Sequence, residues 1–99
     1  MAVGVLIAMP GGTQQLYESV NDAMGIGEDE VVDGLILHSA GPMEGGWYVY
    51  DIWESREQFA RFSQERVGPA VEQVTGQAMS GEPQFYEISN LIFAGQTVG

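Results

Sequence analysis

The chain contains no cysteine and no lysine. Without cysteine it can hold neither a disulfide scaffold nor a thiolate metal site, and it has no thiol nucleophile. Its only basic residues are Arg56, Arg61 and Arg66, set against 14 acids, for a formal charge of −11. So few cations cannot neutralise phosphate, which excludes nucleic acid as a partner. An anionic membrane surface would be repelled for the same reason. Long hydrophobic runs are also missing. Met1–Met9 is apolar but too short to span a bilayer, and it lacks a basic flank and a small-residue cleavage site. It reads as a first strand, and the expectation is a soluble, cytoplasmic protein.

What is present is one domain's worth of chain, residues 1–99. A domain of this size buries roughly 60–68% of its unfolded surface, so its own core is modest. Val3–Met9 reads as a strand, with Val3, Val5 and Ile7 on one face and Leu6 and Ala8 on the other. Pro10-Gly11-Gly12 breaks it, Thr13 caps a helix carrying Leu16, Tyr17, Val20 and Met24, and Gly25 and Gly27 end that helix. Gly25-Ile26-Gly27 lacks the third glycine and the setting of a nucleotide loop. Glu28-Asp29-Glu30 reads as a solvated acidic turn. Val31–Ala40 is strand two, Gly41–Gly46 a hairpin loop and Trp47–Trp53 strand three. Ser55-Arg56-Glu57-Gln58 is a capping box opening a helix that buries Phe59 and Phe62. Gly68-Pro69 interrupts this helix, Val71 and Val74 continue it to Gly76, and Gln84–Phe93 is the last strand.

The order β-α-β-β-α-β predicts an α+β, ferredoxin-like domain, with a four-stranded antiparallel sheet and both helices on one face. The other face should then be polar if it meets water. Here both faces are apolar. Tyr48, Tyr50 and Ile52 form one set on strand three, and Trp47, Val49, Asp51 and Trp53 form the other. An uncovered apolar face marks an interface, and its simplest occupant is a second copy. The expectation is a homodimer with two sheets face to face. The first set, with Tyr86, is assigned to the helices. The second set, with His38, Glu87, Ser89 and Phe85, is assigned to an apolar cavity between the sheets. A one-residue slip between strands two and three would move His38 to the opposite face.

The stretch Gly34-Leu35-Ile36-Leu37-His38-Ser39-Ala40-Gly41-Pro42, followed by Gly45-Gly46-Trp47-Tyr48-Val49-Tyr50-Asp51-Ile52-Trp53-Glu54-Ser55 and then Gln58-Phe59 and Phe62, resembles the dimeric α/β-barrel superfamily that includes the antibiotic-biosynthesis monooxygenases. The likeness covers nearly the whole chain in element order. It implies a homodimeric barrel and a range of activities, among them cofactor-free oxygenation of polyketide-like aromatics, quinol oxidation, haem degradation and lactone isomerisation. The haem-degrading members use a strand-one asparagine, a histidine on the second helical segment and a tryptophan ending strand three. Only the tryptophan has a counterpart here, Trp53, which disfavours haem degradation.

The candidate catalytic residues are His38 and Asp51. A carboxylate beside a histidine fixes its tautomer and stabilises its charged form, which suits a general base. The competing readings are a structural histidine bonded to a backbone carbonyl, and an Asp51 paired with Arg56, Arg61 or Arg66. Trp47, Trp53, Phe85 and Glu87 are the candidate substrate-binding residues, with interface packing as the alternative for the tryptophans. A mixed site of His38, Asp51 and Glu87 is the one metal arrangement available. No metal and no cofactor are expected. The leading functional expectation is a cofactor-independent monooxygenase acting on a small aromatic or polyketide-like molecule. A cyclase or isomerase could start from the same proton abstraction. A non-catalytic dimeric module that binds a small apolar ligand fits the residues too.

Overall fold

The computed structural model describes residues 2–27, 29–79, 81–92 and 94. Strand β1 (Val3–Pro10) is followed by helix α1 (Gln14–Met24), then strands β2 (Leu35–Met43) and β3 (Gly46–Trp53). Helix α2 (Arg56–Phe62) runs through a π-helical turn (Ser63–Val67) into α3 (Gly68–Thr75), and β4 (Gln84–Glu87) closes the sheet. The strand order is β2-β3-β1-β4 and every pairing is antiparallel. This is the ferredoxin-like arrangement, with the helices on one face.

Local chemistry explains the boundaries. The Thr13 side chain accepts from the Leu16 amide and starts α1, and Gly25, at φ 67°, ends it in the left-handed conformation. The Ser55 hydroxyl accepts from the Gln58 amide at 3.2 Å and donates to the Gln58 side-chain oxygen at 2.9 Å, which seals the start of α2. Pro69 has no amide hydrogen to give. The helix absorbs it by widening: Gly68 donates five residues back to the Ser63 carbonyl, and the chain runs on without a break.

Three boundaries differ from the sequence reading. Strand β2 starts at Leu35, because Gly34 adopts φ 86° and turns the chain just before it. It runs through Pro42 to Met43, an edge position where proline removes no needed hydrogen bond, so the hairpin shrinks to the turn at Glu44-Gly45. Strand β4 stops at Glu87; Ser89 to Ile92 lie beyond it, and Phe93 lies outside the described residues.

The larger correction concerns the faces of the sheet. Trp53 packs on Phe59 and Phe62 of α2, and Trp47 on Tyr17 of α1. The set Trp47, Val49, Asp51 and Trp53 therefore faces the helices, together with Val3, Val5 and Phe85, and the core forms around Val3, Val5, Trp53 and Phe59. Tyr48, Tyr50, Ile52 and Tyr86 take the outer face. Glycines make room there: a Cβ on Gly4 would lie 2.6 Å from the Tyr50 hydroxyl, and one on Gly41 would lie 3.1 Å from the Tyr48 ring. The tyrosine rings lie across these bare backbone positions. The bulkier indoles fill the deeper space under the helices.

Candidate active site

The cavity lies inside the subunit, between sheet and helices, and not between two sheets. It has a volume of about 590 Å³, and its walls include Leu16, Val20, Phe62 and Val71 from the helices and Val49 and Trp53 from the sheet. That volume is within the range of small-molecule sites.

One wall carries a continuous polar chain. Asp51 lies mid-strand on β3 and is buried, with its side chain 10% exposed. A carboxylate there is costly unless its oxygens are satisfied. Both are: Oδ1 meets His38 Nδ1 at 2.7 Å, and Oδ2 accepts from Trp53 Nε1 at 3.1 Å. Trp53 stands two residues on along the same face, so strand geometry alone delivers its indole to the carboxylate.

His38 reaches Asp51 because of an irregularity in β2. Leu35 pairs with Trp53 but Leu37 pairs with Ile52, so Ile36 is an extra residue, a β-bulge. Strict alternation from an inward Leu35 would have turned His38 outward. The bulge resets the parity and places His38 directly opposite Asp51. An ionised carboxylate only accepts, so His38 Nδ1 donates and Nε2 of the neutral ring keeps its lone pair. The Tyr17 hydroxyl stands 2.5 Å from Nε2 and donates to it.

Tyr17 is the residue that sequence reading passed over. Its helical spacing reads as core packing. It is placed by the β1–α1 junction: the Gly12 amide bonds the Met9 carbonyl at 3.0 Å, and a Cβ on Gly12 would stand 3.0 Å from that of Trp47. This close approach lowers the first turn of α1 onto the sheet. The Tyr17 ring then sits 5.5 Å from Trp47 and 6.0 Å from His38, nearly parallel to the imidazole. The glycines at 11 and 12 were legible as a break; their use as a seat for Tyr17 was not.

The other candidates divide. Trp47 and Trp53 line the cavity, and among the described residues the Trp47 indole N–H is buried without a hydrogen-bond partner. Phe85 is occupied elsewhere, edge-on to Phe59 with the Arg56 guanidinium 3.9 Å above its ring. Glu87 is exposed on β4, across β1 from β3, and does not border the cavity. Among the described residues His38, Asp51 and Glu87 therefore do not converge, and no group of three potential metal-ligating side chains forms. The arginines do not reach Asp51: Arg61 lies 4.0 Å from Asp33, and Arg66 bonds Glu30 and the Met24 carbonyl, both at 3.0 Å.

The chain superposes over 92% of its length, and 95% of that chain, on a point mutant of SnoaB, a cofactor-independent oxygenase from Streptomyces nogalater (TM-score 0.56, 10% identity). It matches SnoaB itself over the same shares at TM-score 0.55 and 12% identity. A protein from Chloroflexus aurantiacus J-10-fl, named as an antibiotic biosynthesis monooxygenase, is covered in full in both directions at TM-score 0.56 and 14% identity. The chain shares the ferredoxin-like fold of these proteins. No protein-family model matches this sequence, and no curated protein does. At such identities the likeness to the monooxygenase-like proteins is one of fold. Among the described residues, no helix is long and apolar enough to cross a membrane.

Proposed function

We propose that this protein is a cofactor-independent oxygenase that removes a proton from a small, flat, hydroxylated aromatic molecule held in the cavity. The observation that carries this reading is the hydrogen-bonded chain Tyr17–His38–Asp51–Trp53 on the wall of a mainly apolar cavity. A neutral imidazole backed by a buried carboxylate is a base, and an apolar surround strengthens its interactions with a developing anion. The fold shared with SnoaB supports the choice among reactions that begin with proton loss.

In this reading a C–H bond activated by the aromatic system gives up its proton, and the electron pair stays on the substrate. One electron passes to dioxygen, and the substrate radical and superoxide combine to a peroxide anion. Protonation gives a hydroperoxide. The second hydrogen of the same CH2 carbon then leaves as a proton while the O–O bond breaks, so one oxygen atom ends in the product carbonyl and the other in water. The protein's part is to hold the ring between Trp53 and the helices, to take up the proton and to return one. Only the neutral ring has a lone pair with which to accept that proton.

The test begins with thermal shift against naphthols, hydroxyanthrones and flavonols, followed by oxygen uptake with each ligand that stabilises the protein. Uptake without added flavin or metal, lost in His38→Ala, is the expected result. Ligands that bind with no oxygen uptake and no chemical change would leave a binding module and end the oxygenase reading.

A further inference from the structure

We infer that Tyr17 is a catalytic residue, the group that takes the substrate's proton from the cavity and hands its own proton to His38. The inference rests on the proton-abstraction reading above and assigns the step to particular atoms.

Tyr17 and His38 both border the cavity, but they do not present the same chemistry to it. The ring of His38 has two nitrogens. Nδ1 is held by Asp51 at 2.7 Å, and the one remaining lone pair, on Nε2, is occupied by the Tyr17 hydroxyl. A substrate proton reaches Nε2 by pushing Tyr17 aside or by passing through it. Tyr17 is held at three points: its ring lies against Trp47, its hydroxyl is bonded to His38, and its helix is anchored at Thr13 one turn away. Passage through the phenol needs no movement.

Exposure gives the path a direction. The His38 side chain is 41% exposed and that of Asp51 is 10% exposed, so the imidazole is the member of the pair open to water. Tyr17 is half-buried against the cavity. The chain thus runs from an apolar chamber, through a phenol, to an imidazole at the edge strand β2. In the step itself the substrate C–H bond breaks and its proton bonds to the Tyr17 oxygen. The proton of Tyr17 bonds to Nε2, and the electron pair remains on the substrate carbon. No electron is lost or gained. Asp51 holds the resulting imidazolium until its proton leaves for water or returns to the oxygenated intermediate.

The two routes differ in one measurable respect. If His38 took the carbon-bound proton directly, no solvent-exchangeable proton would be in flight. If Tyr17 relays it, the phenolic proton moves in the same step. The experiment uses 2-tetralone, an enolisable bicyclic ketone, labelled with tritium at C1, without oxygen. Tritium release is followed in H2O and in D2O, and binding is read from tryptophan fluorescence. The expected result is release by the wild-type protein that is slower in D2O. His38→Ala and Tyr17→Phe should each lose roughly 10²–10⁴-fold of that release, with the affinity for the ketone changed by less than about threefold. A Tyr17→Phe protein that releases tritium at the wild-type rate overturns the role of Tyr17 and leaves His38 as the base. Wild-type release by His38→Ala, or no acceleration by the wild-type protein, overturns both. Should Tyr17→Phe fail to fold, the solvent effect in the wild-type protein decides alone: equal rates in H2O and D2O overturn the relay.

Discussion

His38 and Asp51 face each other across the β2–β3 ladder, and the carboxylate that holds the imidazole is itself held by Trp53. Asp51 therefore serves two donors with two oxygens. Asparagine has one oxygen, so in Asp51→Asn either His38 Nδ1–H or Trp53 Nε1–H loses its acceptor. The expected outcome is a folded protein destabilised by about 1–3 kcal/mol, with turnover on any identified substrate reduced roughly 10²–10⁴-fold. The chain has a single histidine, so nitrogen NMR reports its tautomer without ambiguity. An unchanged tautomer together with full activity would remove Asp51 from the mechanism.

The two tryptophans of β3 should respond differently to the same substitution. Trp53 is fully buried and its N–H satisfies Asp51; Trp47 is buried and its N–H satisfies nothing among the described residues. Trp53→Phe leaves a buried carboxylate oxygen unpaired, costing about 1–3 kcal/mol beyond the lost ring volume. Trp47→Phe removes a donor that had no partner, so only packing is lost. Urea denaturation should rank Trp53→Phe as the more destabilising. The reverse order would mean that the Asp51–Trp53 bond contributes nothing to stability.

The order of elements was legible because each boundary has a local cause: Thr13 and Ser55 as caps, Gly25 as a left-handed stop, Pro10-Gly11 as a strand end. The pairing of His38 with Asp51 was also legible as a candidate. Which face they share was not. Alternation divides Trp47, Val49, Asp51 and Trp53 from Tyr48, Tyr50 and Ile52 but does not say which set meets the helices, because both are apolar. Gly4 and Gly41 hold the missing signal, since Gly4, diagonal to Tyr50, and Gly41, opposite Tyr48, leave room for rings lying flat on an outer face. The bulge at Ile36 has no comparable mark: no glycine or proline stands there, and only the ladder reveals it. Tyr17 was hidden because a helical aromatic reads as packing until the position of its hydroxyl is known.

The cavity is open enough to take a ligand, and filling it should stabilise the protein without one. Val20 and Val71 line it from α1 and α3, and Val20 is only half-buried. Val20→Phe places apolar bulk in space that the wild type leaves empty. The expected outcome is retained or raised thermal stability, together with loss of the shift produced by aromatic ligands. A ligand that binds Val20→Phe as tightly as the wild type must be bound outside this cavity.

The outer sheet face is where the expected pairing of two copies is tested. Leu37 and Tyr86 are 38% and 48% exposed there, with half-buried Leu6, Tyr48 and Tyr50 between them. A contiguous apolar sheet face is an interface in waiting, and a two-fold pairing of identical faces is its simplest closure. The homodimer expected from the sequence would therefore use the tyrosine set, since the tryptophan set faces the helices. This changes which substitution tests it. Trp47→Asp places a charge beneath α1 and should lower thermal stability through the cavity wall. Leu37→Asp places a charge on the exposed face of β2 and should separate the subunits while leaving the fold intact. Light scattering at micromolar concentration should give about twice the 10.7 kDa chain mass for the wild type and a value falling toward 10.7 kDa for Leu37→Asp. A wild-type mass of 10.7 kDa would show that the outer face meets water despite its composition, and the dimer would be abandoned.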